Sequence, residues 1–128
     1  MKYIIGFVVF WSMIVLANIA NSHEFTPTYP KLKRSYVDGV MVTQMRLFNK
    51  RSDVEFYEIS VYDVEWNRLP FASESRIIKV GYLKTKFFDI YIRESDMEMA
   101  EYICTQSKLK KEDVQSTGIS SRICSRIK

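Results

Sequence analysis

Apolar side chains recur at every second position through the middle of this chain, a period that fits strands and not helices. Val40 to Phe48 places Met41, Thr43, Met45 and Leu47 on one face. Val54 to Asp63 places Tyr57, Ile59 and Val61 on one face, with Glu58 and Ser60 opposite. Phe87 to Arg93 sets Phe88, Ile90 and Ile92 against Asp89, Tyr91 and Arg93. Arg76–Tyr82, Glu101–Ser107 and Ile119–Ile127 read as further strands. Lys31–Tyr36 reads as a first edge strand, because Pro27 and Pro30 stop it extending backwards. Glu94 to Ala100 is the one stretch that reads as a helical turn.

Turn chemistry separates these runs. Asn49-Lys-Arg-Ser-Asp53 is a polar tip, Trp66 to Pro70 with Ala72 to Ser75 is a longer crossing, and Lys108 to Gly118 is a charged loop. About seven short strands with a turn every ten or so residues predict one antiparallel two-sheet sandwich. Phe56, Tyr62, Phe87 and Tyr91 lie opposite the core positions of their strands. They predict either an exposed aromatic face or strands covered on both sides.

The first 22 residues read as an export signal. Lys2 precedes an apolar run from Tyr3 to Ala17, and Ala20-Asn21-Ser22 places small residues two apart. The rival is an uncleaved anchor, which is the only membrane contact the sequence predicts. Cleavage after Ser22 leaves residues 23–128 as one exported domain, periplasmic or extracellular.

Nineteen Lys and Arg against fifteen Asp and Glu, interleaved throughout, make a mixed surface rather than a nucleic-acid patch. His23 is the only His, so His-based triads and His-rich metal sites are hard to build. No residue is assigned to catalysis or to a cofactor, and Glu55, Glu58, Asp53 and Asp63 read as solvated positions, not an acid/base pair. One metal reading is kept as an alternative. His23 as a mature amino terminus chelates copper, with Met41, Met45, Met97 and Met99 as soft ligands.

Cys104 and Cys124 are the only thiols, and export predicts a bridge between them. Closing a loop of about 21 residues is worth roughly 3 kcal/mol.

Two resemblances attach to these strands. Glu98-Met-Ala100-Glu-Tyr102-Ile-Cys104 resembles the entry to the sixth strand of immunoglobulin domains, where the Tyr forms a structural corner. The corner implies Tyr102 facing inward. A direct Cys104–Cys124 pair instead puts Tyr102 opposite Arg126, so either the match is partial or the last strand is bulged. Residues 32 to 93 resemble the amino-terminal domain of periplasmic pilus-assembly chaperones. Met45-Arg-Leu-Phe-Asn49, Val54 to Val61, Arg76 to Val80 with Leu83, and Phe88 to Ile92 followed by Arg93 carry that likeness. It implies an immunoglobulin-like sandwich in which one base on the first strand and one on the last grip a partner's terminal carboxylate. Arg34 and Arg126 are the matching positions.

The last strand places Ile119, Ile123 and Ile127 on one face and Arg122, Cys124 and Arg126 on the other. As an edge it either accepts another chain's strand or is guarded by its arginines. The sequence therefore predicts an exported, protein-binding β-sandwich, an accessory or assembly factor of the cell envelope. It acts through an edge strand at Arg34, Ile119, Ile123, Arg126 and Ile127, or through an aromatic face. A structural subunit of a surface or virus-like assembly is the other protein-binding alternative.

Overall fold

The computed structural model describes residues 22–108 and 120–127. The leader expected over residues 1–22 lies outside the described residues except for Ser22, as does Ile119.

Nine strands and one 3-10 turn make up the described chain: β1 Glu24–Thr26, β2 Lys33–Arg34, β3 Val40–Phe48, β4 Phe56–Tyr62, β5 Arg68–Leu69, β6 Ile77–Lys79, β7 Thr85–Arg93, β8 Tyr102–Lys108 and β9 Arg122–Arg126, with the turn at Glu94–Asp96. They form two antiparallel sheets. In the first, β3 is central, with β1 and β2 on one side and β7 on the other. In the second, β4 is flanked by β5 and β6 on one side and by β8 on the other, and β9 follows β8.

The alternation drives the packing. Met45 and Leu47 from β3, Tyr57, Ile59 and Val61 from β4, and Phe88, Ile90 and Ile92 from β7 meet in one core with Ile103 from β8. Each expected inward set is buried. A side chain of this kind contributes about 1.5–3 kcal/mol when fully buried, so the alternating face outweighs any local preference.

The short strands depart from the expectation. Pro27 ends a strand before it, Glu24–Thr26, which pairs with Arg46–Phe48 of β3. Only Lys33–Arg34 of the expected first strand is regular, and Arg68–Leu69 pairs with β4 inside the expected crossing. Three or two residues are too few for a period to register. The four aromatics opposite the core do not make one face. Phe87 and Tyr91 lie on the first sheet, Phe56 and Tyr62 on the second, and Tyr62 is buried.

Asn49 ties one end of the sandwich together. Its amide donates to the carbonyls of Val54 (2.7 Å) and Val80 (2.8 Å). Its Oδ1 accepts from the Arg51 N–H at 2.9 Å and from the Tyr57 hydroxyl. Its backbone bonds Lys84 and Leu83 (3.0 and 2.8 Å). Asn49, the first residue of the expected polar tip, is thus a fully satisfied buried hub, as a buried amide requires, while Lys50 and Ser52 are exposed.

Candidate functional site

β8 and β9 carry the site. Their ladder pairs Tyr102 with Arg126, Cys104 with Cys124 and Gln106 with Arg122, without a bulge. One pleat therefore sets every side chain. Ile103, Thr105 and Ser107 point into the sandwich with Ile123 and Ser125. Tyr102, Cys104 and Gln106 share the outer face with Arg122, Cys124 and Arg126. The Cys104–Cys124 disulfide joins directly opposed residues whose Cα atoms are 4.1 Å apart.

This register corrects the immunoglobulin-corner reading of Tyr102. The residue lies on the outer face, because an inward Tyr102 would carry Arg122 and Arg126 into the core with it. Its ring stacks on Trp66 instead, with centroids 4.3 Å apart and planes 2° from parallel. Tyr62, directly across on β4, meets Trp66 at 5.6 Å. The Arg122 guanidinium sits 5.1 Å from the Trp66 ring centroid and 5.9 Å from that of Tyr62. Cys104 is 1% exposed on a face that carries this aromatic cap.

The β4–β5 turn delivers Trp66. Asp63 Oδ1 accepts from the N–H groups of Glu65 (2.9 Å) and Asn67 (2.8 Å). The Trp66 N–H donates to the Asp63 carbonyl at 3.1 Å, and the Asp63 N–H to the Asn67 carbonyl at 3.0 Å. This geometry holds Trp66 at φ +66°. That is the left-handed position that ends such a turn and normally takes glycine. A side chain there costs about 1–2 kcal/mol. Aromatic stacking, worth about 0.5–1.5 kcal/mol beyond the area covered, offsets it.

The outer edge of β9 follows from its hydrogen bonds. The Ile127 N–H turns inward to the Glu101 carbonyl (2.8 Å), and the Ser121 carbonyl accepts from the Ser107 N–H (2.9 Å). The Arg126 N–H turns outward to the Thr28 carbonyl (2.9 Å). Peptide groups alternate along a strand, so Arg122 and Cys124 also direct theirs outward. Among the described residues those two have no backbone partner there.

Both arginines lean back over their own sheet. Arg126 Nε donates to Glu101 Oε1 at 2.8 Å, and Arg122 lies over rings from β4 and its turn. Ile123 and Ile127 pack against the core from the other side. Arg34 is exposed on β2, in the first sheet, so it and Arg126 stand on different sheets.

His23 departs from the copper reading. It is 2% exposed, with Nε2 2.8 Å from Thr105 Oγ1 and Nδ1 3.3 Å from Ser121 Oγ. Its ring lies 4.6 Å from that of Tyr57. Burial pushes the imidazole down to about 4, and the nearby Arg51 adds to that. Burial likewise pushes the Tyr57 hydroxyl up to about 12. Both ring nitrogens of His23 are engaged, and Met41 and Met45 are core residues. The residue closes the sandwich between β1 and β8, and its ring offers no free nitrogen to a metal.

Of the carboxylates read as solvated, Asp63 accepts the hydrogen bonds of its turn, and Asp53, Glu55 and Glu58 are in ion pairs. Asp53 holds Arg51 through two contacts of 2.9 and 2.7 Å. Glu58 lies 2.7 Å from Lys108 and 3.4 Å from Arg68, and the Lys108 contact lowers its carboxyl below the usual range. Trp66, Tyr62 and the outward peptides of β9 were not legible as a unit. Asp63 and Asn67 around Trp66 are the only local signal.

No family model matches the chain, and no curated protein matches it. Solved structures do. A chain of the Salmonella enterica SafA pilin complex with the SafB chaperone superposes with a TM-score of 0.63 at 10% identity, covering 84% of this chain and 53% of that one. The Escherichia coli chaperone DraB gives a TM-score of 0.61 at 12% identity, covering 83% and 53%. The periplasmic chaperone SfaE gives 0.51 at 14% identity, covering 83% and 56%. The chain thus spans just over half the length of these structures, and its fold is the immunoglobulin-like sandwich seen in periplasmic pilus chaperones.

Proposed function

We propose that this chain is an exported protein-binding sandwich that serves as an accessory or assembly factor in the cell envelope. It acts by accepting an extended segment of a partner along β9. The observation that carries this reading is the open stretch of that edge at Arg122 and Cys124, next to Arg126, where Thr28 already occupies it. The outward peptide groups of Arg122 and Cys124 have no backbone partner among the described residues, and both edge arginines are drawn back across the sheet. Strand addition uses such groups for affinity and the flanking side chains for selection. The disulfide supports export. The likeness to chaperones of pilus assembly supports a protein partner.

The test is in-cell crosslinking with affinity capture, comparing the natural chain with Arg122→Pro. Proline removes an outward N–H that the β8–β9 ladder does not use, so the sheet survives. One dominant partner, lost in the variant while its melting temperature stays within a few degrees, is the expected result. Recovery of only the chain itself, or of a shell or fibre component in fixed ratio, overturns the reading and leaves a structural subunit.

A further inference from the structure

We propose that Arg122 is a preoriented receptor for a carboxylate side chain on the segment that β9 accepts. The inference rests on the edge-strand reading above and adds to it the chemistry of the partner. It starts from a guanidinium that is held but unused. Arg122 lies over the faces of Trp66 and Tyr62. Contact between the cation and the ring faces supplies no oxygen acceptor for the guanidinium N–H donors. No carboxylate or other acceptor takes those donors among the described residues. The contrast with its neighbours is direct. Arg126, Arg51 and Arg93 each donate to a carboxylate within 2.9 Å.

Three further observations point at the same spot. Trp66 is a bulky residue held at φ +66°, in a turn whose hydrogen bonds fix its place under Arg122. Local strain of this kind marks positions that the surrounding structure over-determines. The peptide of Arg122 itself faces outward, so an incoming strand lies beside this residue. Its alternate side chains then fall on the outer face, next to the guanidinium. The opposite set of side chains falls beside Ile123, which is apolar. The partner segment is therefore extended and alternating, with apolar residues on one side and an Asp or Glu opposite Arg122 on the other. A fork already held beside aromatic rings meets a carboxylate through two parallel hydrogen bonds with less side-chain freedom left to lose.

The test uses the full chain and dye-labelled nine-residue peptides with blocked termini, alternating Val-Glu, Val-Gln or Val-Lys, followed by fluorescence anisotropy. A fourth peptide is Val-Gln with a free carboxy terminus. The Val-Glu peptide is expected to bind about tenfold tighter than Val-Gln, with Val-Lys weakest. Arg122→Gln should remove that preference while leaving Val-Gln affinity within about twofold. Equal binding of the Val-Glu and Val-Gln peptides overturns the carboxylate receptor and leaves the edge-strand reading standing. So does a gain confined to the free-terminus peptide, or a Glu preference that survives in Arg122→Gln. Failure of every peptide to bind overturns both.

Discussion

Trp66 lies flat on Tyr102, 4.3 Å between ring centroids, from a backbone conformation that suits glycine and not tryptophan. The contact and the strain pull in opposite directions, so substitutions can separate them. Trp66→Ala keeps the strained backbone and loses the stack, and is expected to cost about 2 kcal/mol. Trp66→Gly loses the same stack but relieves the left-handed strain, and should be about 1 kcal/mol more stable than the alanine variant. Urea midpoints of the two variants measure this. A glycine variant no better than alanine would show that the turn does not impose the left-handed position.

The same cap bears on the disulfide. Cys104 and Cys124 are 20 residues apart in sequence, and removing the bridge with paired alanines should cost about 3 kcal/mol. Cys104 is almost wholly covered, so reduction of the folded protein by a small thiol requires an opening. Trp66→Ala should speed that reduction on the order of tenfold at neutral pH. A rate unchanged by the substitution would place the cover elsewhere.

The parts of this fold that were legible are those where one face is buried over seven or nine residues. β3, β4 and β7 display their inward sets directly, because the period of a strand is short and burial is large. For β8 and β9 the cysteine pair and the corner likeness put Tyr102 on opposite faces, and only the register of the ladder decides for the outer one. What escaped were residues whose roles depend on distant chain. Asn49, Arg51 and Asp53 look like a solvated turn by composition, yet Asn49 and Arg51 are buried by contacts that include Val80, some 30 residues away. His23 looks like a free terminus and is a core residue. Trp66 contradicts its own local preference, so no propensity argument reaches it.

Asn49 gives a prediction of that kind. Asn49→Ala leaves two carbonyls, one N–H and one hydroxyl without their partner in a buried site. Each such orphan costs about 1–3 kcal/mol, so a loss of at least about 3 kcal/mol is expected. Asn49→Asp has the right shape but turns oxygens toward the Val54 and Val80 carbonyls, and should be no better. Equilibrium unfolding of both variants decides the point. A mild aspartate variant would mean that only the acceptor half of the hub matters.

His23 makes stability depend on pH within a window that its neighbours define. The imidazole is buried among Tyr57, Thr105 and Ser121, with Arg51 and its partner Asp53 nearby. Folding lowers its titration from the ordinary 6.5 to about 4. The unfolded chain therefore binds more protons than the folded one between those values, and stability falls as pH falls. The contribution is fully present above 6.5 and is lost on the way down to about 4, to the extent of about 3 kcal/mol. Glu24 and Glu58 are also lowered on folding, but from 4.5, so their losses fall below the upper part of this window. Denaturant midpoints at pH 7.0 and pH 5.0 should differ in the natural chain. His23→Gln removes the titrating group, and its two midpoints should nearly coincide, whatever the substitution costs at neutral pH. Midpoints that fall equally in both proteins would assign the acid sensitivity to the carboxylates and return His23 to a solvated site.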